Sequence, residues 1–167
     1  MKIGINKLTI NIHHMKKLVL LLFVTLTSVT TFAQTAAKRK SEFNLEKNVA
    51  IQGYDPVAYF TQKKAIKGKT TIATTYEGVT YNFSTQANKD LFLKKPSQYE
   101  PQYGGWCSYA MGATGEKVEI DPETFKIVDG KLNLFYNAYF NNTLKSWNKD
   151  EAKLKVKADA NWKKIIK

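Results

Sequence analysis

Histidine does not occur beyond residue 14 of this 167-residue chain, cysteine occurs once (Cys107), and arginine occurs once (Arg39). Each shortage closes a class of chemistry. One cysteine forms no internal disulfide. A segment without imidazole cannot build Ser-His-Asp or Cys-His nucleophiles, His-based zinc sites, or the commonest proton shuttle near neutral pH. A single arginine among lysines scattered along the chain is poorly suited to reading base edges, so nucleic acid is not an expected partner. No glycine-rich phosphate loop is present, because Gly104-Gly105 lacks both the following lysine and the spacing. The longest strongly apolar run near the start, Leu18 to Val24, is too short for an ordinary membrane span.

What is present begins with a processing pattern. Lys16 and Lys17 precede that apolar run, and Thr31-Phe32-Ala33 places small residues before Gln34. This is the form of a secretory signal peptide over residues 1–33, with cleavage expected after Ala33. Met15 opens a complete signal by itself, so residues 1–14 read as an over-long start. Both histidines, His13 and His14, leave with the signal. The remaining 134 residues carry 22 basic and 14 acidic side chains, a net charge of +8. The expectation is an exported protein, periplasmic or secreted, with no mature transmembrane segment and length for one domain.

Residues 34–48 are polar and lysine-rich and read as a flexible tether, with the domain at 49–167. Asp55-Pro56 starts a short helix, the Asp side chain capping a free N–H and the Pro occupying the first helical position. Thr71–Tyr76 and Val79–Phe83, joined by Glu77-Gly78, form a hairpin. Ser84 caps a helix over about Thr85–Lys95, and Pro96 stops it. A loop with the acids Glu116, Glu119 and Asp121 precedes a second hairpin, Phe125–Val128 and Lys131–Tyr136, around Asp129-Gly130. Phe140, Leu144 and Trp147, then Leu154, Ala158, Trp162 and Ile165, recur at helical spacing and give two amphipathic helices. The expected fold is α+β: two β-hairpins packed with a short helix, a central helix and two C-terminal helices.

Candidate chemistry concentrates in Tyr99–Met111. If Gly104-Gly105 leads into a helical turn, Cys107 and Met111 lie at i and i+4, thiol and thioether on one face. Two soft ligands suit Cu(I), with Asp55 as a third candidate; the cofactor is left open, with a copper ion as one candidate. The competing reading makes Cys107 a buried structural hydrophobe, as free cysteines commonly are. A third possibility is a pocket for a small molecule or protein partner lined by Tyr54, Tyr59, Tyr103, Gly104, Gly105, Trp106 and Tyr109. Asp55 is the best-placed acid for catalysis, but its capping role accounts for it, and no catalytic pair is evident. The chain reads as a binding module rather than an enzyme.

The order Gly53-Tyr54-Asp55-Pro56-Val57-Ala58-Tyr59-Phe60, then Tyr81-Asn82-Phe83-Ser84, Pro96-Ser97-Gln98-Tyr99, Gly104-Gly105-Trp106-Cys107 and Ala158-Asp159-Ala160-Asn161-Trp162 resembles the YHS domain family in its exported single-domain form. The resemblance covers roughly Val49 to Lys163. It implies a hairpin-plus-helix fold. In the short form attached to heavy-metal transporters it also implies a metal site with a cysteine in the Asp-Pro-Val-Cys opening and two more near the helix start. Here those positions are Ala58, Ser84 and Asn88, which leaves Cys107 as the remaining soft ligand.

Overall fold

Two hairpins with left-handed two-residue turns set the architecture, as their sequences require. The computed structural model describes residues 35–167; the expected signal peptide lies outside the described residues. Met1–Thr35 and Ala36–Lys167 form separate units, and the second is described here.

Residues 36–42 are helical (α1). Two short strands follow, β1 (Leu45–Glu46) and β2 (Val49–Ala50), then the single-turn helix α2 (Ala58–Thr61). The first hairpin is β3 (Lys69–Tyr76) and β4 (Val79–Phe83), turning through Glu77 and Gly78 at φ 44° and 85°. Helix α3 (Gln86–Lys94) and the turn α4 (Pro96–Tyr99) come next, then α5 (Ser108–Ala113). The second hairpin, β5 (Asp121–Val128) and β6 (Lys131–Phe135), turns through Asp129 and Gly130 at φ 50° and 70°. A small hairpin, β7 (Asn137–Ala138) and β8 (Asn141–Asn142), leads into α6 (Thr143–Trp147) and the long α7 (Glu151–Ile165). The sheet order is β1-β2-β4-β3, with β5-β6 and β7-β8 as separate ribbons. The fold is α+β, as the sequence pattern requires.

The main core gathers Val57, Tyr59, Tyr81, Phe83, Phe92, Leu132 and Leu134, all fully buried. Phe92 on α3 meets the rings of Tyr81 and Phe83 with centroids 4.8 and 5.3 Å away, which ties the helix to the hairpin it follows. Burying one such aromatic contributes about 1.5–3 kcal/mol. Helix α7 crosses α5 closely, because a Cβ on Gly112 would stand 2.5 Å from the Leu154 carbonyl oxygen.

Three local expectations need correction. The segment expected as a tether is built into the domain from residue 36 onward. Phe43 is buried in the core, and the Arg39 guanidinium bonds Glu100 while lying 4.4 Å from the Phe43 ring centroid. Arg39 on α1 and Phe43, one residue past its end, are four residues apart and anchor the same side. Second, the cap of α3 is Thr85, whose hydroxyl accepts from Asn88 N at 3.1 Å; Ser84 is turned toward Asp55 instead. Third, Phe140 is not helical. Asn142 caps α6 by accepting from Leu144 N at 3.0 Å, so the helix starts after Phe140.

Candidate functional site

The Tyr99–Met111 segment is shaped by a left-handed turn. Tyr103, Gly104 and Gly105 have φ of 54°, 61° and 87°. A Cβ on Gly104 would stand 2.7 Å from the Trp162 ring and 2.9 Å from that of Phe43, so both backbone and packing demand glycine there. The turn delivers Cys107 to the N-cap of α5, at φ −58° and ψ 116°. That position lies outside the helical register. Met111 N bonds the Cys107 carbonyl at 3.0 Å. The side chains nevertheless part: Cys107 joins the main core, while Met111 packs with Tyr103 and Ala158 in a second cluster. Asp55 caps α2 and is engaged elsewhere. Cys107 and Met111 thus fall in different clusters, and the Asp55 carboxylate serves donors of α2, Ser84 and Asn88. Among the described residues no three His, Cys, Asp or Glu side chains group as metal ligands.

The Cys107 thiol is fully buried and hydrogen-bonded on both sides. The Thr143 hydroxyl donates to the Tyr136 carbonyl at 2.9 Å. With its proton so engaged, Thr143 Oγ1 is left to accept from Cys107 S–H at 3.4 Å. Tyr136 N–H donates to Sγ, also at 3.4 Å. Cys107 Sγ thus has a hydrogen-bond partner on each side.

Beside it opens a cleft of about 410 Å³. Ala110, Ala113, Val118, Tyr109 and Tyr136 supply its apolar walls, and Thr114, Glu116, Asn141 and Thr143 its polar groups. Helix α5 brings the first wall, the acid-bearing loop the second, and the β7-β8 hairpin the third. Of the expected pocket residues, only Tyr109 joins Cys107 here. The others line neither this cleft nor a smaller one beside Asn82. Tyr59 is fully buried, donates to the Pro122 carbonyl at 2.9 Å and packs edge-on against Phe125. Tyr103 donates to Asp159 at 3.0 Å. Trp106 donates to the Glu42 carbonyl at 2.6 Å, Gly105 lies beside Pro101, and Tyr54 contacts Glu123. These rings are structural because each finds an apolar neighbour and a local acceptor. Tyr136, Asn141 and Thr143 were missed: they lie 29 to 36 residues beyond Cys107, and no local spacing signals that a hairpin will return them.

Residues 57–103 match the family model of the YHS domain. Over that segment the chain is similar to the YHS domain. The family is a metal-associated one. No curated protein and no solved structure matches the chain. The matched segment ends before Cys107, so every residue lining the cleft lies outside it.

Within and just before the YHS segment, the positions equated with the short form's cysteines do converge in space. Ala58, Ser84 and Asn88 surround one carboxylate, that of Asp55. Its Oδ1 accepts from Val57 N at 2.9 Å and Ala58 N at 3.3 Å. Its Oδ2 accepts from Ser84 N at 2.8 Å, Ser84 Oγ at 2.6 Å and Asn88 Nδ2 at 2.7 Å. Asp55 is fully buried. A soft metal does not fit this donor set, since Ala58 offers no ligand atom and both carboxylate oxygens already serve the protein's own donors. At the positions that the resemblance equates with the short form's cysteines, this chain holds a hydrogen-bonded cap that joins α2, β4 and α3.

Proposed function

We propose that this chain is an exported binding module, without a catalytic role, that holds a small and largely apolar molecule in the cleft against Cys107. The observation that carries the reading is the cleft itself: alanine, valine and tyrosine walls with a few polar groups at fixed places, the usual make-up of a ligand pocket. Export is supported by the Lys16–Ala33 pattern. Soft-metal handling through Cys107 is the second reading, favoured by the thiol's place in the cleft wall and by the family's metal association. Against it stand the thiol proton donated to Thr143 and the distance in packing from Met111.

Titrating the reduced protein with Nile red, a neutral apolar probe, tests the first reading. The native protein should bind it saturably, and Ala113→Trp, at an exposed cleft position, should abolish binding without unfolding the chain. Equal binding by both would overturn it. A parallel Cu(I) titration decides the second: stoichiometric uptake lost in Cys107→Ala would move the function to soft metal.

A further inference from the structure

A second cleft, of about 220 Å³, lies on the other hairpin between the β1-β2 segment and β4, lined in part by Lys47, Gln52, Gly53, Lys67 and Asn82. Asn82 is the telling residue. It is only 6% exposed, yet its carboxamide makes no hydrogen bond to any described residue. A buried amide without a partner costs free energy unless something supplies one. No buried side-chain nitrogen or oxygen in the described protein is both sealed from solvent and unpaired. The Asn82 amide therefore faces the cleft it lines.

The surroundings define what would satisfy it. Lys67 reaches back over the cleft, its ammonium bonded to the Gln52 carbonyl and 4.8 Å from the Tyr54 ring centroid. An ammonium has three donors, so this anchoring leaves others to serve a ligand. Gly53 leaves the space between these groups open: a Cβ there would stand 3.4 Å from Asn82 Nδ2 and 3.7 Å from Lys67 Cε. The backbone of this wall is strained, with Ile51, Gln52 and Gly53 at φ 52°, 50° and 82°. A β-branched residue at positive φ is a genuine outlier, and such strain collects at ligand clamps. Lys47, exposed and without an ion-pair partner among the described residues, adds a second positive charge at the rim. The Glu46 carboxylate also lines the cleft and opposes an anion, leaving one net positive charge.

We propose that this cleft is a binding site for a small oxyanion, a carboxylate or phosphate group, held by the Asn82 amide and the Lys67 ammonium with Lys47 at the entrance. The site stands apart from the Cys107 cleft and does not rest on the function assigned to it.

The test is a titration of the ¹⁵N-labelled protein with sodium phosphate and, separately, sodium acetate, at ionic strength matched with sodium chloride. Saturable shifts of the Asn82 side-chain NH₂ and of the Gly53 and Gly68 amides are expected with at least one anion and not with chloride, and the stronger binder identifies the oxyanion. Asn82→Ala and Lys67→Met should each weaken binding at least about tenfold, the worth of one charge-assisted hydrogen bond. Lys47→Met, at an exposed turn, cannot disturb the fold and should weaken it less. Shifts that do not saturate, that spread over surface lysines, or that survive all three substitutions would overturn the proposal.

Discussion

Removing the Asp55 carboxylate strands donors on three separate elements at once. Val57 N, Ser84 N and Oγ, and Asn88 Nδ2 all point to it within 2.9 Å, and each buried donor left without an acceptor costs about 1–3 kcal/mol. Asp55→Ala should therefore lower stability by about 3–5 kcal/mol in urea denaturation with an unchanged m-value. A loss below about 1 kcal/mol would mean that water replaces the carboxylate and that the network is dispensable. Half of this site was legible in the sequence, because Asp followed by Pro is a helix-start signal whatever the tertiary structure. The other half was not: Ser84 and Asn88 lie 29 and 33 residues away, and only the return of β4 and the start of α3 bring them in. The same limit applied to Cys107. Its i, i+4 relation to Met111 was readable, but its N-cap position at ψ 116° and the assignment of the two sulfur side chains to different clusters were not.

Among the elements, the hairpins were written plainly and the β7-β8 ribbon was not. Glu77-Gly78 and Asp129-Gly130 are residue pairs that tolerate φ > 0 and announce their turns. The third ribbon turns on Tyr139 and Phe140, at φ 50° and 63°, with no such signal, and the helical spacing of Phe140, Leu144 and Trp147 pointed to the wrong element. Both rings are in solvent, 92% and 111% exposed, so packing does not offset the backbone strain. Left-handed backbone costs a residue with a Cβ about 1–2 kcal/mol, and Asn-Gly at this turn avoids most of it. The double substitution Tyr139→Asn and Phe140→Gly should raise stability by about 1–2 kcal/mol, visible as a higher Tm. A lower Tm would show that the rings make contacts in solution that this conformation lacks. The reverse holds at 34–48, where isolated Arg39 and Phe43 among lysines show no periodicity, yet Arg39 and Phe43, just past α1, fasten the helix to the core.

For the whole molecule, burying tyrosine hydroxyls makes stability depend on alkaline pH. Alternating aromatic residues on two hairpins already foretold an aromatic core; which hydroxyls would be sealed inside it depended on tertiary neighbours. Burial, then the nearby Tyr54 hydroxyl and Asp121 charge, pushes the Tyr59 phenol well above its ordinary range. Burial, then the charge of Glu100 and the hydrogen bond to it, does the same for Tyr81. Below pH about 10 these groups hold their protons whether the chain is folded or not, and their contribution to stability is whole. Above it the unfolded chain ionises while the folded chain keeps both protons, so stability falls as pH rises toward the folded values. Each retained proton removes about 1.4 kcal/mol per pH unit, or about 3 kcal/mol for the pair. Against the 5–15 kcal/mol of a typical domain, unfolding should set in within a few units above pH 10. Tyr59→Phe isolates the linkage. It loses the bond to Pro122, about 1 kcal/mol at neutral pH, but removes one titrating group, so urea unfolding free energies measured between pH 9 and 11 should decline less steeply than in the native protein. Parallel declines would mean that Tyr59 does not control the alkaline limit.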